Sequence, residues 1–298
     1  MKNQHFVLIV SIVLFVTGCA GTTVRISKVA TAVNAAEDKS NVQSIDKLSA
    51  SINDSDLTEE RLRGYSDETL NALYRTVDKI AFYLPDNEQY ALRRELVFNE
   101  KVRRNKYDKA DVEDMFSSFL DARMFENAAN IKQRFPNINL PEIPQVVTPE
   151  DISKTAQWQA YDVSEQGKKI TLRMLPLSEG PRIITVIFAG CGVAKNVASD
   201  VLSDSELGPL FHDNAVIVTR KFEPEGVENI KELFHSTAVY MVHKSGDFPG
   251  VWMQTSPNFY FLKDGKIVYS FKRWSTDDPA ASLKKMRTGM KSIRLLPA

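Results

Sequence analysis

Apolar residues in the first half of the chain recur at spacings of three and four, which is the period of an amphipathic helix. The clearest run begins after Ser66, a residue type that caps helices, and continues to Pro85, which ends it. The predicted apolar face of this helix is Leu70, Leu73, Tyr74, Val77, Ile80 and Ala81. The pattern therefore predicts a helix that packs on other helices through one face.

Three more helices are predicted after Pro85. Asp86 can cap the first, which runs through Leu92, Leu96 and Val97. The others span about residues 111–124 and 125–133. We predict an all-α helical domain at residues 57–136, and we expect the basic run Lys101, Arg103, Arg104 and Lys106 to form a solvated face.

Part of this domain resembles a tetratricopeptide repeat. The resemblance rests on Phe119, Phe125, Ala128 and Pro136. One copy shows no period, so a small antiparallel bundle is the alternative.

In the second half, the pattern changes to β-type alternation interrupted by helical segments. Residues 183–188 form a continuous β-branched run, as a buried parallel strand does. Asp264-Gly265 lies between two apolar runs and predicts a tight hairpin. The other predicted strands are 157–163, 169–174, 215–219 and 238–242, and the predicted helices are 193–202, 227–234 and 279–293. This order predicts an α/β layered domain.

The start of the chain is typical of an export signal. Lys2 precedes the apolar run Phe6–Val16, which as a helix is about 16 Å long and too short to span a bilayer. The sequence Val16-Thr17-Gly18-Cys19 resembles the lipobox of bacterial lipoproteins. That resemblance implies a signal peptide at residues 1–18 and lipidation of Cys19. A plain signal peptide with an incidental cysteine is the alternative.

The lipobox resemblance also implies a location. Lipid on Cys19, such as palmitate, makes the membrane a partner and places the protein in the cell envelope. Ala20, where Asp would otherwise stand, favours the outer membrane, with the protein facing the periplasm. Residues 19–56 contain no aromatic side chain and are predicted to be a flexible tether, of which the part at residues 33–52 could form a weak amphipathic helix. The proline-rich residues 137–154 are predicted to be a linker.

Composition narrows the possible functions. The chain has 298 residues, with Lys+Arg 38 and Asp+Glu 38, and this balance argues against nucleic acid as a partner. Two cysteines exclude a disulfide framework and a thiolate zinc site. The four histidines form no ligand-spaced cluster, so we expect no metal site and no cofactor.

The candidate chemistry lies at Cys191, between the strand at 183–188 and the following helix. This segment resembles the active-site segment of the thioredoxin superfamily. Thr255-Ser256-Pro257 resembles the cis-proline loop of that family, and the hairpin after it resembles its closing hairpin. The resemblance covers residues 155–298 and implies an α/β thioredoxin-like C-terminal domain.

The resemblance implies roles for five residues. Cys191 is the predicted catalytic thiol, at a helix N-terminus, a position that favours thiolate. Gly192, Lys195, Ser256 and Pro257 are the predicted substrate-binding residues, and the substrate is expected to be an exported protein partner.

The sequence departs from the family where the second cysteine is expected. It has Cys191-Gly192-Val193-Ala194, so Ala194 replaces the resolving cysteine and no internal disulfide can form there. A monothiol site that forms mixed disulfides remains, as does a fold kept only for binding.

Other interpretations of Cys191 stay open. It can be an inert buried residue, or it can form a disulfide with Cys19 if Cys19 is not lipidated. A cysteine hydrolase that uses His212, His235 or His243 is a further alternative. A non-catalytic adaptor or assembly lipoprotein would use both domains as binding surfaces.

Overall fold

The computed structural model describes the backbone of residues 4–39, 41–85, 87–153, 156–236 and 238–297, and within these ranges it describes side chains from residue 21 onward. The chain divides into two compact units, Met1–Leu140 and Pro141–Ala298. The N-terminal unit is helical, and the C-terminal unit is built on a mixed β-sheet.

The described part of the N-terminal unit contains seven α-helices and a short 3-10 turn at Asp54–Asp56. The helices are α1 (Gln4–Asp38), α2 (Val42–Ser49), α3 (Glu59–Gly64), α4 (Asp67–Tyr83), α5 (Glu88–Arg103), α6 (Lys109–Asp121) and α7 (Phe125–Arg134). The Ser66 hydroxyl accepts the Thr69 N–H at 3.2 Å, so it caps α4 as predicted.

The segment predicted to be a flexible tether is instead largely helical. Within α1, Ile26, Val29 and Val33 are buried, and α1 packs against α4. The Lys79 ammonium forms an ion pair with Glu37. Aliphatic residues at spacings of three and four supply the packing surface here without any aromatic side chain, which is why the composition misled the prediction.

The predicted helix through Leu92, Leu96 and Val97 is present as α5. Leu92 and Leu96 are 41% and 47% exposed, whereas Val97 is buried. The helix instead buries Ala91, Arg94, Val97, Phe98, Glu100 and Lys101. Asn87 caps α5 by accepting the Gln89 N–H at 3.1 Å, and the predicted cap, Asp86, lies outside the described residues.

The basic run in α5 was expected to be a solvated face, and this prediction is wrong for two of its members. Lys101 is 6% exposed and donates to Asp111 at 2.6 Å. The Arg104 guanidinium donates to the backbone carbonyls of Leu62 and Tyr65 at 2.8 and 2.9 Å. Lys101 is buried and Arg104 is half-buried, and carboxylates and carbonyl oxygens satisfy their donors.

The described part of the C-terminal unit contains eight strands and four α-helices. The strands are β1 (Gln145–Val147), β2 (Gln159–Ser164), β3 (Lys169–Met174), β4 (Pro181–Val186), β5 (Ala215–Thr219), β6 (Val239–Val242), β7 (Asn258–Lys263) and β8 (Lys266–Lys272). The helices are α8 (Gly192–Ser203), α9 (Leu207–Asn214), α10 (Pro224–Phe234) and α11 (Pro279–Ser292).

The strands form one sheet in the order β1-β3-β2-β6-β5-β4-β7-β8. Strands β4, β5 and β6 are parallel, and β7 and β8 continue the sheet in antiparallel fashion. The predicted linker at residues 137–154 contributes β1, which pairs with β3, and the sequence analysis missed α9. Because parallel strands end at one edge, the segments after β4, β5 and β6 lie near one another.

The main core of the C-terminal unit lies on one face of this sheet. It includes Ile184 and Val186 of β4, Val216 and Val218 of β5, and side chains from the segment before β7, such as Phe248 and Met253. Phe188 and Trp252 pack on its margin. Within the residues that were described, no helix is both long enough and apolar enough to span a bilayer.

Candidate functional site

Cys191 lies directly before α8, in the turn that leaves β4. It is the N-cap residue of α8, and its side chain is partly exposed. The Cys191 N–H donates to the Phe188 carbonyl at 3.1 Å, and the Cys191 carbonyl accepts the Ala194 N–H at 2.9 Å. Gly190 has a φ of +74°, a conformation that suits glycine and turns the chain sharply before the cysteine.

This position gives the sulfur a polarised environment. The first backbone N–H groups of a helix have no carbonyl partner within the helix, and the helix dipole adds positive potential there. Gly192 is exposed, with open space where a side chain would lie, so the approach to the first turn is not blocked by that residue.

The Ser256-Pro257 loop lies beside this turn. The Phe188 N–H donates to the Ser256 hydroxyl at 3.0 Å, and the Ser256–Pro257 peptide is cis, as the resemblance implied. Pro257 is buried, and its carbonyl accepts the Arg273 N–H at 2.8 Å. The loop is thus fixed at one end to the turn of Cys191 and at the other to the end of β8.

Two buried side chains hold the loop in shape. The Asn258 amide donates to the carbonyls of Trp252 and Thr255 at 3.0 and 2.7 Å, and Asn258 is fully buried. The Tyr260 hydroxyl accepts the Trp252 N–H at 2.8 Å, and burial raises the pKa of Tyr260. These contacts satisfy the backbone groups of a segment that has no regular secondary structure.

A buried arginine adjoins the same turn, and the sequence analysis missed it. Arg220 is 3% exposed, and its guanidinium carbon lies 5.9 Å from the centre of the Phe188 ring. Phe188 and Arg220 each stand two residues beyond the paired Val186 and Val218. A cation directly after a buried parallel strand was the signal that could have identified it, because that strand ends at the same edge as β4.

Helix α10 also packs against the turn that precedes Cys191. A Cβ added at Gly226 would lie 2.4 Å from the Ala189 Cβ, so glycine allows α10 to approach the residue two positions before Cys191. The sequence analysis missed this contact because it joins segments 37 residues apart in sequence (226 − 189 = 37).

The histidines have partners other than the cysteine. His212 Nδ1 lies 3.0 Å from Asp213, whose hydrogen bond raises the pKa of this exposed histidine. His243 Nδ1 lies 2.8 Å from Asp247, and His235 caps the C-terminus of α10 with left-handed backbone. The hydrogen bonds of the described residues therefore give the hydrolase alternative no cysteine–histidine pair.

The predicted site residues are brought together only in part. Cys191 and Ser256 are linked through Phe188, and Pro257 follows directly. Lys195 is exposed in the first turn of α8, and Ala194 is 4% exposed. The side chain of Cys19, the predicted lipidation site, lies outside the described residues. Across the part of the chain with described side chains, no cluster of three or more histidine, cysteine or acidic residues could hold a metal ion.

Comparison with known proteins finds one weakly similar solved structure. No family model matches the chain, and no curated protein matches it. One similar solved structure is described as a thioredoxin-like protein from Bacteroides caccae ATCC 43185. It is 9% identical, the match covers 77% of this chain and 81% of that chain, and the TM-score is 0.31. A TM-score of this size carries no conclusion about the function of this chain.

Proposed function

We propose that the protein is a lipid-anchored, thioredoxin-like protein of the cell envelope that exchanges disulfides through the single thiol of Cys191. One arrangement carries the proposal: a partly exposed cysteine begins a helix at the carboxyl edge of parallel strands, beside the Ser256-Pro257 loop. The strand order supports the thioredoxin-like assignment, since an antiparallel hairpin of β7 and β8 directly follows that loop.

The proposed chemistry uses one sulfur of this chain. The Cys191 thiolate attacks one sulfur of a partner disulfide, a new S–S bond forms, and the other partner sulfur leaves as a thiolate with the electron pair. Because Ala194 supplies no resolving thiol, a thiol from the partner or from a second protein completes the cycle. That thiol attacks the mixed disulfide and releases Cys191 reduced.

The location is a further part of the proposal. Lipid on Cys19 would hold the chain at the outer membrane and leave Cys191 as the sole free thiol of the mature protein. The membrane and an exported protein are then its partners. The support is the lipobox-like sequence ending at Cys19.

The test uses the full chain with Cys19→Ser, in mild detergent, so that Cys191 is the only thiol. We expect a small alkylating reagent to modify Cys191 in the native protein, and a disulfide reagent to give a mixed disulfide detected by mass. Cys191→Ser is the matched control and should give neither adduct. Reaction only after unfolding would make the cysteine structural and would overturn the exchange function.

A second function is favoured by Ala194. It is buried at the position of the resolving cysteine, so no thiol is presented there. In this second function the protein is an adaptor or assembly lipoprotein that binds partners through both units without chemistry. A Cys191→Ser variant that keeps full function in cells would support it.

A further inference from the structure

Two cations stand at the end of β8, against the Ser256-Pro257 loop. Lys272 is paired in register with Asn258, and Arg273 follows it with its N–H bonded to the Pro257 carbonyl. Both residues are exposed. The Lys272 ammonium lies 5.1 Å from the centre of the Trp252 ring. The backbone of Trp252 is hydrogen-bonded by Asn258 and Tyr260.

Two more cations lie on the other side of the loop. Lys195 is exposed one turn into the helix that Cys191 begins, and Arg220 is buried against Phe188. Hydrogen bonds through Phe188, Ser256 and Pro257 connect the turn of Cys191 to Arg273. We call Lys195, Arg220, Lys272 and Arg273 the basic rim.

Acids close in sequence to these cations accept hydrogen bonds within the fold and keep their charge. Asp200 of α8 accepts the Trp274 indole N–H at 2.9 Å, and Asp278 caps α11 by accepting the Ala281 N–H at 3.0 Å. Glu223 lies 3.8 Å from Lys221. The whole chain has a formal net charge of +0, so an attraction for an acidic partner here would come from the exposed position of Lys272 and Arg273 at the loop and not from the overall charge. Local charge of one sign raises the encounter rate of a partner of the opposite sign.

We infer that the segment of the partner that exchanges with Cys191 is an acidic, extended peptide, selected by Lys272 and Arg273 of the basic rim. This inference rests on the proposed exchange function and specifies its substrate class. Carboxylates on either side of the partner cysteine would face Lys195 on one side and Lys272 and Arg273 on the other. The attraction acts through solvent, so it weakens with added salt.

The experiment compares two peptides of equal length, each with one cysteine activated as a 2-pyridyl disulfide. In one peptide the cysteine is flanked by glutamates and in the other by lysines. The Cys191 thiolate attacks the peptide sulfur, a protein–peptide disulfide forms, and pyridine-2-thione leaves and is measured by its absorbance. The protein is the full chain with Cys19→Ser in mild detergent.

We expect the acidic peptide to react about tenfold faster at low salt, and the two rates to converge at high salt. Lys272→Gln with Arg273→Gln should bring the ratio of rates close to one. The matched control is Lys263→Gln with Lys266→Gln, a pair that joins the end of β7 to the start of β8, about 20 Å along the strand from Lys272. That control should leave the ratio unchanged.

The outcomes distinguish a failure of the acidic substrate class from a failure of the exchange function. Equal rates for both peptides, or a faster lysine peptide, would overturn the acidic substrate class and leave the exchange function standing. If neither peptide reacts with the native protein, the exchange function itself fails, and the substrate class fails with it. If the variant with Lys272→Gln and Arg273→Gln still prefers the acidic peptide, these two residues do not select the substrate.

Discussion

The Phe188 N–H donates to the Ser256 hydroxyl at 3.0 Å, across 68 residues of sequence. Phe188 also accepts the Cys191 N–H through its carbonyl, so one residue connects the loop and the candidate thiol. One side-chain hydroxyl therefore joins the turn of Cys191 to the loop, in addition to the pairing of Val186 in β4 with Asn258 in β7.

Ser256→Ala tests that dependence. The partly buried Phe188 N–H loses its acceptor, so we expect the free energy of unfolding to fall by about 1–3 kcal/mol. The rate of mixed-disulfide formation at Cys191 should fall as well, because the turn and the loop lose the hydrogen bond that aligns them. Urea unfolding and the exchange rate measure the two effects. Ser270→Ala, at an exposed position of β8, is the control and should change neither.

Gly226→Ala tests the contact between α10 and the turn. The new Cβ would lie 2.4 Å from the Ala189 Cβ, so α10 or the turn must move, at a cost of about 1–3 kcal/mol. Gly64→Ala adds the same methyl group where nothing lies within 4 Å and should cost far less. Equal thermal stability of the two variants would contradict the close approach.

Cys19→Ser tests the lipid anchor. In a Gram-negative host that is given labelled palmitate, the natural chain should carry the label and sediment with membranes. Cys19→Ser should lose both properties, whereas Cys191→Ser should keep them. A natural chain without label would leave the plain export signal as the better interpretation.

The elements with strong periodicity could be predicted from the sequence. The α4 helix and its Ser66 cap, strands β3 and β5 and the hairpin around Asp264 follow from local patterns of apolar and turn residues. The helix α1 could not, because its packing surface is aliphatic and lies within a polar stretch. In α5, burial of Arg94 and Lys101 depends on carboxylates from other segments, which no local pattern reveals.

The candidate site follows the same division. Cys191 and the Ser256-Pro257 loop could be identified because each lies in a recognisable local context. Phe188 and Gly226 contribute through contacts between distant segments, which no local pattern reveals, whereas the position of Arg220 directly after a buried strand was a local signal. The basic rim likewise forms only when the end of β8 meets the loop.

Lys101→Met tests the buried ion pair of the helical unit. Lys101 and Asp111 are 8% and 12% exposed at their side chains, and the Lys101 ammonium lies 4.2 Å from the centre of the Tyr74 ring. Removing the cation leaves a buried carboxylate, so we expect a loss of about 3–5 kcal/mol in urea unfolding. Lys109→Met removes an exposed partner of Glu113 and should cost less than about 1 kcal/mol. Similar losses in both variants would contradict a buried pair.

The pKa of Glu100 predicts how the stability of the helical unit changes at acidic pH. Hydrogen bonds from Arg103, and then from Arg104, lower the pKa of Glu100 from 4.5 to about 2. Both guanidiniums donate through Nε at 2.7 Å, and the Glu100 side chain is 4% exposed. A carboxyl group whose pKa is lower in the folded state stabilises the fold fully above its unfolded pKa. That contribution is lost as the pH falls from 4.5 towards about 2.

Glu100→Gln should therefore be less stable than the natural chain at neutral pH, by about 1–3 kcal/mol, because the charged hydrogen bonds are lost. The difference should shrink as the pH falls below 4.5, since the unfolded natural chain then protonates Glu100 while the folded chain keeps it ionised until about 2. Urea unfolding at a series of pH values, followed by circular dichroism, measures this convergence. Glu59→Gln, in an exposed pair with Arg63, is the matched control and should show almost no difference at any pH. A constant gap between Glu100→Gln and the natural chain over this range would mean that the two arginines do not hold the carboxylate ionised.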